Sequence, residues 1–204
     1  MLIERPPKIY RGLYRGSHWR FNTNEKVVYL TFDDGPIPEI TPWVLDVLDK
    51  YGIKATFFCV GDNVRKHPEI YQMVRDRGHI VGNHTFHHLK GLKVTTKTYM
   101  KDVEDAAKLI PGKLFRPPHG HMRLPQFYVL RKKYKIVMWD VVTRDYSRLM
   151  TADEVFEVVK KRTRSGSIIV FHDSLKSGDR MKESLTRSLD WLIEQGYSFR
   201  LIEE

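Results

Sequence analysis

The sequence of 204 residues contains a single cysteine and no long apolar run. Cys59 alone excludes an internal disulfide framework, and its apolar neighbours are typical of a small buried side chain. No window approaches the roughly 18 to 20 apolar residues that a membrane-spanning helix needs. The N-terminal residues lack the apolar stretch of about 7 to 15 residues found in secretory signals. The sequence as written therefore predicts a cytoplasmic address, while a removed leader would leave the cell envelope open.

Positive charge is in excess, with 35 Lys and Arg against 25 Asp and Glu and a formal charge of +10. Such a charge attracts polyanions, including nucleic acids, anionic glycans and lipid surfaces. The basic residues are scattered, and the densest clusters, at 131–133 and 160–164, fall on predicted helices where solvated faces are usual. Because no nucleic-acid-binding motif accompanies them, we expect no specific nucleic-acid partner.

Apolar runs of strand length alternate with amphipathic helical stretches, which predicts an α/β architecture with a parallel sheet. The helical stretches end at Gly52, Gly78, Gly166 and Gly196, and Thr151 with Glu154 predicts a capping box. Seven strands are predicted, at residues 27–32, 55–60, 79–82, 113–116, 136–140, 167–172 and 199–202.

The alternation is compatible with either a closed barrel or an open doubly wound sheet. A barrel carries its reactive residues at the carboxyl ends of several strands, whereas an open sheet concentrates them near one switch point. The polar side chains of this sequence follow the first, third, fourth, fifth and sixth predicted strands. We therefore predict a distorted (β/α) barrel of about seven parallel strands.

Two adjacent carboxylates, Asp33 and Asp34, end the first predicted strand in the segment Thr-Phe-Asp-Asp-Gly-Pro. Neighbouring side chains on a strand point to opposite faces, so the turn at Gly35 must redirect one of them if both are to serve one cavity. Taken alone, this segment is more typical of a solvated turn than of a reactive site.

The segment His-Thr-Phe-His-His places His84 and His88 four residues apart, and one helical turn would bring both imidazoles together. His87 is then a bystander on a neighbouring face. With nine histidines in the chain, such a pair also arises by chance. Joined to an aspartate, the pair would form a three-ligand metal site with open positions, as catalytic sites have.

Further reactive residues follow the later strands. Arg116 begins the rigid segment Arg-Pro-Pro-His-Gly and can hold a carboxylate through a bidentate contact. Asp145 and Tyr146 follow the fifth predicted strand, and His172 ends the sixth. A histidine at the end of a buried strand is often structural, but an aspartate that orients it makes it a candidate general acid.

The ordered set of TFDDGP, HTFHH, RPPHG, DY and VFHD resembles the polysaccharide deacetylases of the NodB-homology type, which form carbohydrate esterase family four. The resemblance extends over residues 27–204, which we assign to the catalytic domain, with residues 1–26 as an N-terminal extension. It implies that Asp34, His84 and His88 bind one divalent metal ion, with zinc expected and cobalt, nickel or manganese as alternatives.

The resemblance also implies the catalytic roles. Asp33 would be the base, Arg116 would hold it, and His172, oriented by Asp145, would protonate the leaving group. A backbone N–H near His119 would help to stabilise the tetrahedral oxyanion. At positions 119, 146 and 170, where the family usually has Tyr, Trp and Leu, this sequence has His119, Tyr146 and Val170. These side chains line the groove and the acetyl pocket, so the departures bear on the substrate more than on the chemistry.

The predicted function is therefore the hydrolysis of acetyl groups, N-acetyl before O-acetyl, from a glycan such as chitooligosaccharide, peptidoglycan or acetylated xylan. The predicted assembly is a monomer. Two alternatives remain: a deacetylase-like barrel that binds metal or glycan without turnover, and a different metal hydrolase on a barrel. A phosphatase of the latter kind would be expected to have a second metal site, and the sequence offers no further Asp/His cluster for one.

Overall fold

Eight strands form one parallel sheet in the computed structural model, which describes residues 4–203. Their order is β5-β4-β3-β2-β1-β7-β6, and β8 pairs with the beginning of β1. The strands are β1 (Val27–Asp33), β2 (Thr56–Cys59), β3 (Ile80–Asn83), β4 (Leu114–Phe115), β5 (Lys135–Ile136), β6 (Val141–Val142), β7 (Ile168–His172) and β8 (Ser198–Phe199). Residues 1–3 of the predicted extension and residue 204 of the predicted catalytic domain lie outside the described residues.

Helices follow most of the strands and cover the outer face of the sheet. They are α1 (Lys8–Leu13), α2 (Thr41–Lys50), α3 (Gly61–Lys66), α4 (Pro68–Asp76), α5 (Thr96–Ala107), α6 (Leu124–Leu130), α7 (Ala152–Arg162) and α8 (Gly178–Glu194), with short 3₁₀ turns at Gly91–Lys93 and Pro118–Gly120. The largest hydrophobic cluster packs Leu30, Phe32 and Phe171 of the strands against residues such as Leu48 and Leu189 of the helices. None of these helices is both long and apolar enough to cross a membrane.

The predicted helix signals are confirmed with one exception. Gly52 has a φ of 65° after α2, and the N–H of Ile53 donates to the carbonyl of Leu48, which completes a left-handed helix end. The capping box of Thr151 and Glu154 begins α7. Gly166 does not end α7, because that helix stops at Arg162 and Gly166 forms the turn before β7.

The distorted barrel is confirmed, and one bent segment closes it. The fifth strand was predicted at residues 136–140, but only Ile136 of that range belongs to a named strand. Ile136 ends β5, which pairs with β4, and β6 begins after the predicted end and pairs with β7. These two partners lie toward opposite edges of the sheet, so residues 137–140 join one edge to the other. Within this segment the guanidinium of Arg116 donates hydrogen bonds to the carbonyl groups of Val137 and Met138.

The N-terminal residues pack against this closing segment. The N–H of His18 donates to the carbonyl of Ile136, and the N–H of Phe21 donates to the carbonyl of Gly166. Tyr14 and Trp19 are buried in a second hydrophobic cluster beside α6. The chain before β1 therefore crosses from the β5 edge toward β7 and covers the gap between them.

Candidate active site

The carboxyl ends of the parallel strands surround a cavity of about 200 Å³. Eight of the ten predicted site residues line it: Asp33, Asp34, His84, His88, His119, Tyr146, Val170 and His172. The other two, Arg116 and Asp145, are fully buried and contact Asp33 and His172 from behind. Parallel strands bring their carboxyl ends to one end of a barrel, and this places residues that are distant in sequence in one cavity.

A group of three potential metal ligands lies in the cavity wall. Oδ1 of Asp34 is 3.1 Å from Nε2 of His88 and 3.7 Å from Nε2 of His84. One ligand atom from each residue lies within 4.8 Å of the others. Asp34 has a φ of 85°, so the chain leaves its strand conformation immediately after Asp33. This turn brings the two adjacent carboxylates into the same cavity.

The hydrogen bonding of His84 leaves one ring nitrogen available. Nδ1 lies 2.7 Å from the carbonyl oxygen of Arg116, so Nδ1–H donates and Nε2 keeps its lone pair toward Asp34. Burial lowers the pKa of His84 to about 4, which keeps the ring neutral. A neutral imidazole with its second nitrogen fixed by a carbonyl group is the usual state of a histidine that ligates a metal.

His84 and His88 converge through an irregular loop and not through the predicted helical turn. Thr85 and His88 both have positive φ angles, of 64° and 54°. Asp102 of α5 holds the loop: its Oδ2 accepts hydrogen bonds from the N–H groups of Phe86 and His87 at 2.9 and 3.0 Å. Its Oδ1 lies 2.6 Å from Nδ1 of His87. His87 therefore pairs with the residue that shapes the loop.

Asp33 is held by Arg116 through one contact of 2.6 Å between Oδ1 and Nη1, and not through the predicted bidentate pair. The remaining N–H groups of Arg116 are used elsewhere: Nη1 also bonds the hydroxyl of Thr31, while Nε and Nη2 bond main-chain carbonyls. The guanidinium lies 4.1 Å from the ring centroid of Phe58. Asp33 is therefore oriented, while its second oxygen accepts no hydrogen bond among the described residues.

His172 and Asp145 form a second oriented pair. Nδ1 of His172 lies 2.7 Å from Oδ1 of Asp145, and Oδ2 accepts a hydrogen bond of 2.7 Å from the main-chain N–H of His172. Burial alone would lower the pKa of His172, but the Asp145 carboxylate outweighs it and raises the pKa to about 9. The ring is therefore protonated near neutral pH, and Nε2 is the nitrogen left for a substrate.

Comparison with known proteins places this arrangement in a family. The profile of the polysaccharide deacetylases matches residues 20–134. A peptidoglycan-N-acetylglucosamine deacetylase of Bacillus cereus is 34% identical over 91% of this chain and 91% of its own. The chain belongs to the polysaccharide deacetylase family.

Two further relatives extend the comparison. A peptidoglycan-N-acetylmuramic acid deacetylase of Bacillus subtilis is 32% identical over the whole of this chain and 76% of its own. The crystal structure of a pseudoenzyme of carbohydrate esterase family four from Bacillus anthracis superposes with a TM-score of 0.81 and 26% identity, covering 90% of this chain and 66% of that one. The chain is thus similar in sequence to proteins named as deacetylases and shares its fold with a protein described as a pseudoenzyme.

Four residues of the deacetylase cavity were not assigned from the sequence: Gly120, Trp139, Val142 and Lys176. The indole N–H of Trp139 is buried and has no hydrogen-bond partner among residues 4–203. A side chain on Gly120 would collide with the Trp139 ring, 2.0 Å from its Cβ, so this position requires glycine. Trp139 lies at the end of an apolar run, and this position could have predicted it as a cavity residue. No local pattern singled out Lys176.

Of the three positions expected to depart from the family pattern, His119 and Tyr146 contact reactive residues and Val170 lines the cavity. The His119 ring is 4.7 Å from that of His88, and burial lowers the pKa of His119 to about 4. Tyr146 stands edge-on to His172, with ring centroids 4.8 Å apart. His119 is neutral and Tyr146 is aromatic, so the cavity of this deacetylase keeps a wall of rings suited to a sugar.

Proposed function

We propose that the deacetylase removes the N-acetyl group from an amino sugar of a peptidoglycan-type glycan in a metal-dependent hydrolysis. The observation that carries the proposal is the position of Asp33 beside the Asp34, His84 and His88 group in one cavity. A base next to a three-ligand site is the arrangement that hydrolysis by an activated water requires.

The donor set fits a borderline divalent cation. One carboxylate and two neutral imidazoles suit zinc, and three protein ligands leave coordination positions for substrate and water. The chemistry that such a cation supplies when bound is Lewis acidity, which acidifies water and polarises a carbonyl group. Zinc is our first choice, with cobalt, nickel and manganese as alternatives.

Asp33 is proposed as the general base. Arg116 fixes one carboxylate oxygen, while the other oxygen is left to accept a proton from water. Arg116 is itself fixed by Thr31 and by two main-chain carbonyls, so its position does not depend on Asp33 alone.

His172 is proposed as the general acid. Asp145 sets its tautomer and keeps the ring protonated, so that Nε2–H can be donated to the departing amine. The amine of an amino sugar is a poor leaving group unless it is protonated. The acid should therefore matter more for an amide than for an activated ester.

The names of the relatives support a peptidoglycan-type substrate, because both curated deacetylases act on N-acetylated sugars of peptidoglycan. The cavity of about 200 Å³ is smaller than the roughly 300 to 1,000 Å³ typical of sites that enclose a whole ligand. We infer that only the acetamido group and part of one ring enter it, while the rest of the polymer lies outside.

Acetate release tests the proposal. The protein is stripped of metal, reloaded with zinc or in parallel with cobalt, nickel or manganese, and incubated with peptidoglycan glycan strands, chitooligosaccharides and acetylated xylan. The stripped protein is the control. We expect zinc-dependent release from the N-acetylated glycans and little from xylan. Release by the stripped protein at the same rate would contradict metal dependence, and no release from any glycan with any of the four metals would favour a catalytically inactive barrel.

A further inference from the structure

One basic side chain in the cavity wall takes no part in the proposed chemistry. Among the described residues that line the cavity, Lys176 is the only lysine or arginine. Its ammonium group makes no hydrogen bond or ion pair within residues 4–203. The acidic residues of the wall are engaged, Asp33 with Arg116 and Asp34 with two histidines. Lys176 is thus an uncompensated positive charge at the rim of the site.

The backbone that carries Lys176 is fixed, although its side chain is exposed. Nη2 of Arg180 donates to the carbonyl oxygen of Lys176 at 2.5 Å, and Nε of Arg180 donates to the carbonyl oxygen of Asp145 at 3.1 Å. The turn is closed by the buried Ser174 and Ser177, whose hydroxyl groups lie 3.1 Å apart. Arg180 therefore ties the base of this lysine to the same aspartate that orients His172.

We propose that Lys176 recognises a carboxylate on the glycan, carried by the sugar that loses its acetyl group or by an ether substituent of that sugar. This inference rests on the proposed function and makes the preferred substrate an acidic N-acetylated sugar, such as a muramic-type residue with a free carboxylate. A lysine is a flexible point charge, so it suits a carboxylate whose position varies with the glycan conformation. The overall charge of +10 favours the approach of such a polyanion.

The proposal is tested with two glycans that differ in charge. One is a neutral oligomer of N-acetylglucosamine, and the other is a glycan strand freed of peptides, whose muramic residues carry free carboxylates. For Lys176→Gln we expect kcat/KM on the acidic glycan to fall by about threefold to tenfold through KM, with little change on the neutral one, as for one solvent-accessible ion pair. Added salt should shrink the difference in kcat/KM between wild type and Lys176→Gln on the acidic glycan. Lys176→Arg, which keeps the positive charge, should retain most of the wild-type kcat/KM on that glycan.

Lys97→Gln is the matched control. Lys97 lies on the exposed side of α5 outside the cavity, and the substitution makes the same change in net charge. If Lys97→Gln reproduced the loss, the effect would belong to the overall charge. Equal losses for Lys176→Gln on both glycans would assign Lys176 to the chemistry or the fold, and no loss on either would remove it from recognition. Each of these results overturns the proposal.

A binding measurement separates failure of this inference from failure of the proposed function. Calorimetric titration of the acidic glycan into Asp33→Asn, with and without Lys176→Gln, needs no turnover. Weaker binding only in the double variant supports recognition by Lys176 even if no acetate release is found. Equal binding by the two variants contradicts recognition even if the deacetylase activity is established.

Discussion

Two buried carboxylates, Asp33 and Asp140, lie at opposite ends of the barrel, and both contact arginine. Asp140 is fully buried, and Arg11 and Arg164 donate to it at 2.8 to 2.9 Å together with the hydroxyl of Ser167. Both of its oxygens are used. Asp33 is bonded by Arg116 through one oxygen and lines the cavity.

The two carboxylates differ in how many of their oxygens accept hydrogen bonds, and this difference gives Asp140 a structural role and Asp33 a reactive one. Burial would raise the pKa of Asp140, but the bonds from Arg164, Arg11 and Ser167 outweigh it and lower the pKa to about 2. A carboxylate with both oxygens occupied cannot readily accept a proton from a substrate, whereas one held by a single oxygen can. Asp140 thus fastens the N-terminal segment to the barrel, and Asp33 is available for chemistry.

The largest expected effect is a loss of deacetylase activity when Asp33, but not Asp140, is replaced by asparagine. Asp33→Asn should reduce deacetylation by roughly 100-fold to 10,000-fold, as the loss of a general base does. Asp140→Asn should leave turnover within a few-fold of the original at a temperature where it remains folded. Both are measured by acetate release at matched metal content. Comparable losses of turnover in the two variants would abolish the distinction.

His172→Ala should have the next largest effect, and its size should depend on the leaving group. On an N-acetylated glycan we expect a loss of at least about 100-fold, because the amine must be protonated to depart. On an aryl acetate the loss should be far smaller, since the phenolate leaves without help. Proportional losses on the two substrates would show that His172 shapes the site and does not supply the proton.

Substitution of Asp140, which anchors the N-terminal segment, should change the stability of the protein. Asp140→Asn should lower the free energy of unfolding by about 1 to 3 kcal/mol, a range that allows for the partial exposure of its arginines. Because the pKa of Asp140 is lowered from 3.8 to about 2 in the folded chain, its ionised contacts stabilise the protein above pH 3.8. That contribution is lost as the pH falls through 2.

Denaturant titrations of the wild type and of Asp140→Asn at pH 7, 4 and 2 measure both effects. The two stabilities should converge as the pH falls. An undiminished difference at pH 2 would show that packing, and not charge, is responsible for the loss.

The smallest expected effect is a shift in pH dependence. Asp145→Asn removes the charge that keeps His172 protonated, so the alkaline limb of kcat/KM should move to lower pH by roughly 1 to 3 units. The wild-type limb reflects the raised pKa of His172, which carries its proton below about 9. The measurement is the pH profile of kcat/KM for the wild type and Asp145→Asn with saturating metal. An alkaline limb at the same pH in both would assign that ionisation to a group other than His172.

The sequence predicted the parts of the site that depend on local order. Asp33 and His172 lie at the ends of apolar runs and His84 follows one closely. Because parallel strands bring such positions together, these three residues could be placed in one cavity. The family resemblance anticipated His119 and Tyr146 as cavity walls, but not their ring contacts with His88 and His172. The placement of Asp33, His84 and His172 needed only strand direction and spacing, whereas the roles of His119 and Tyr146 needed the family resemblance.

The remaining features depend on contacts that no local pattern encodes. The loop of His84 and His88 is held by Asp102 of α5, and in place of most of the predicted fifth strand there is a bend whose carbonyl groups bond Arg116. The packing of Trp19 against Trp139 is likewise long-range. Lys176 lies four residues beyond a predicted strand, and only the three-dimensional turn places it in the cavity wall.

The central claim is that Asp34, His84 and His88 bind one catalytic metal ion, and calorimetric titration of zinc into the stripped protein tests it most directly. We expect one tight site per chain in the wild type, near-normal affinity in Asp33→Asn, and affinity reduced by at least about 100-fold in His84→Ala, since a ligand matters at least as much as its supporting residues. Equal zinc affinity and stoichiometry in the wild type and His84→Ala, with both proteins folded, would contradict the account.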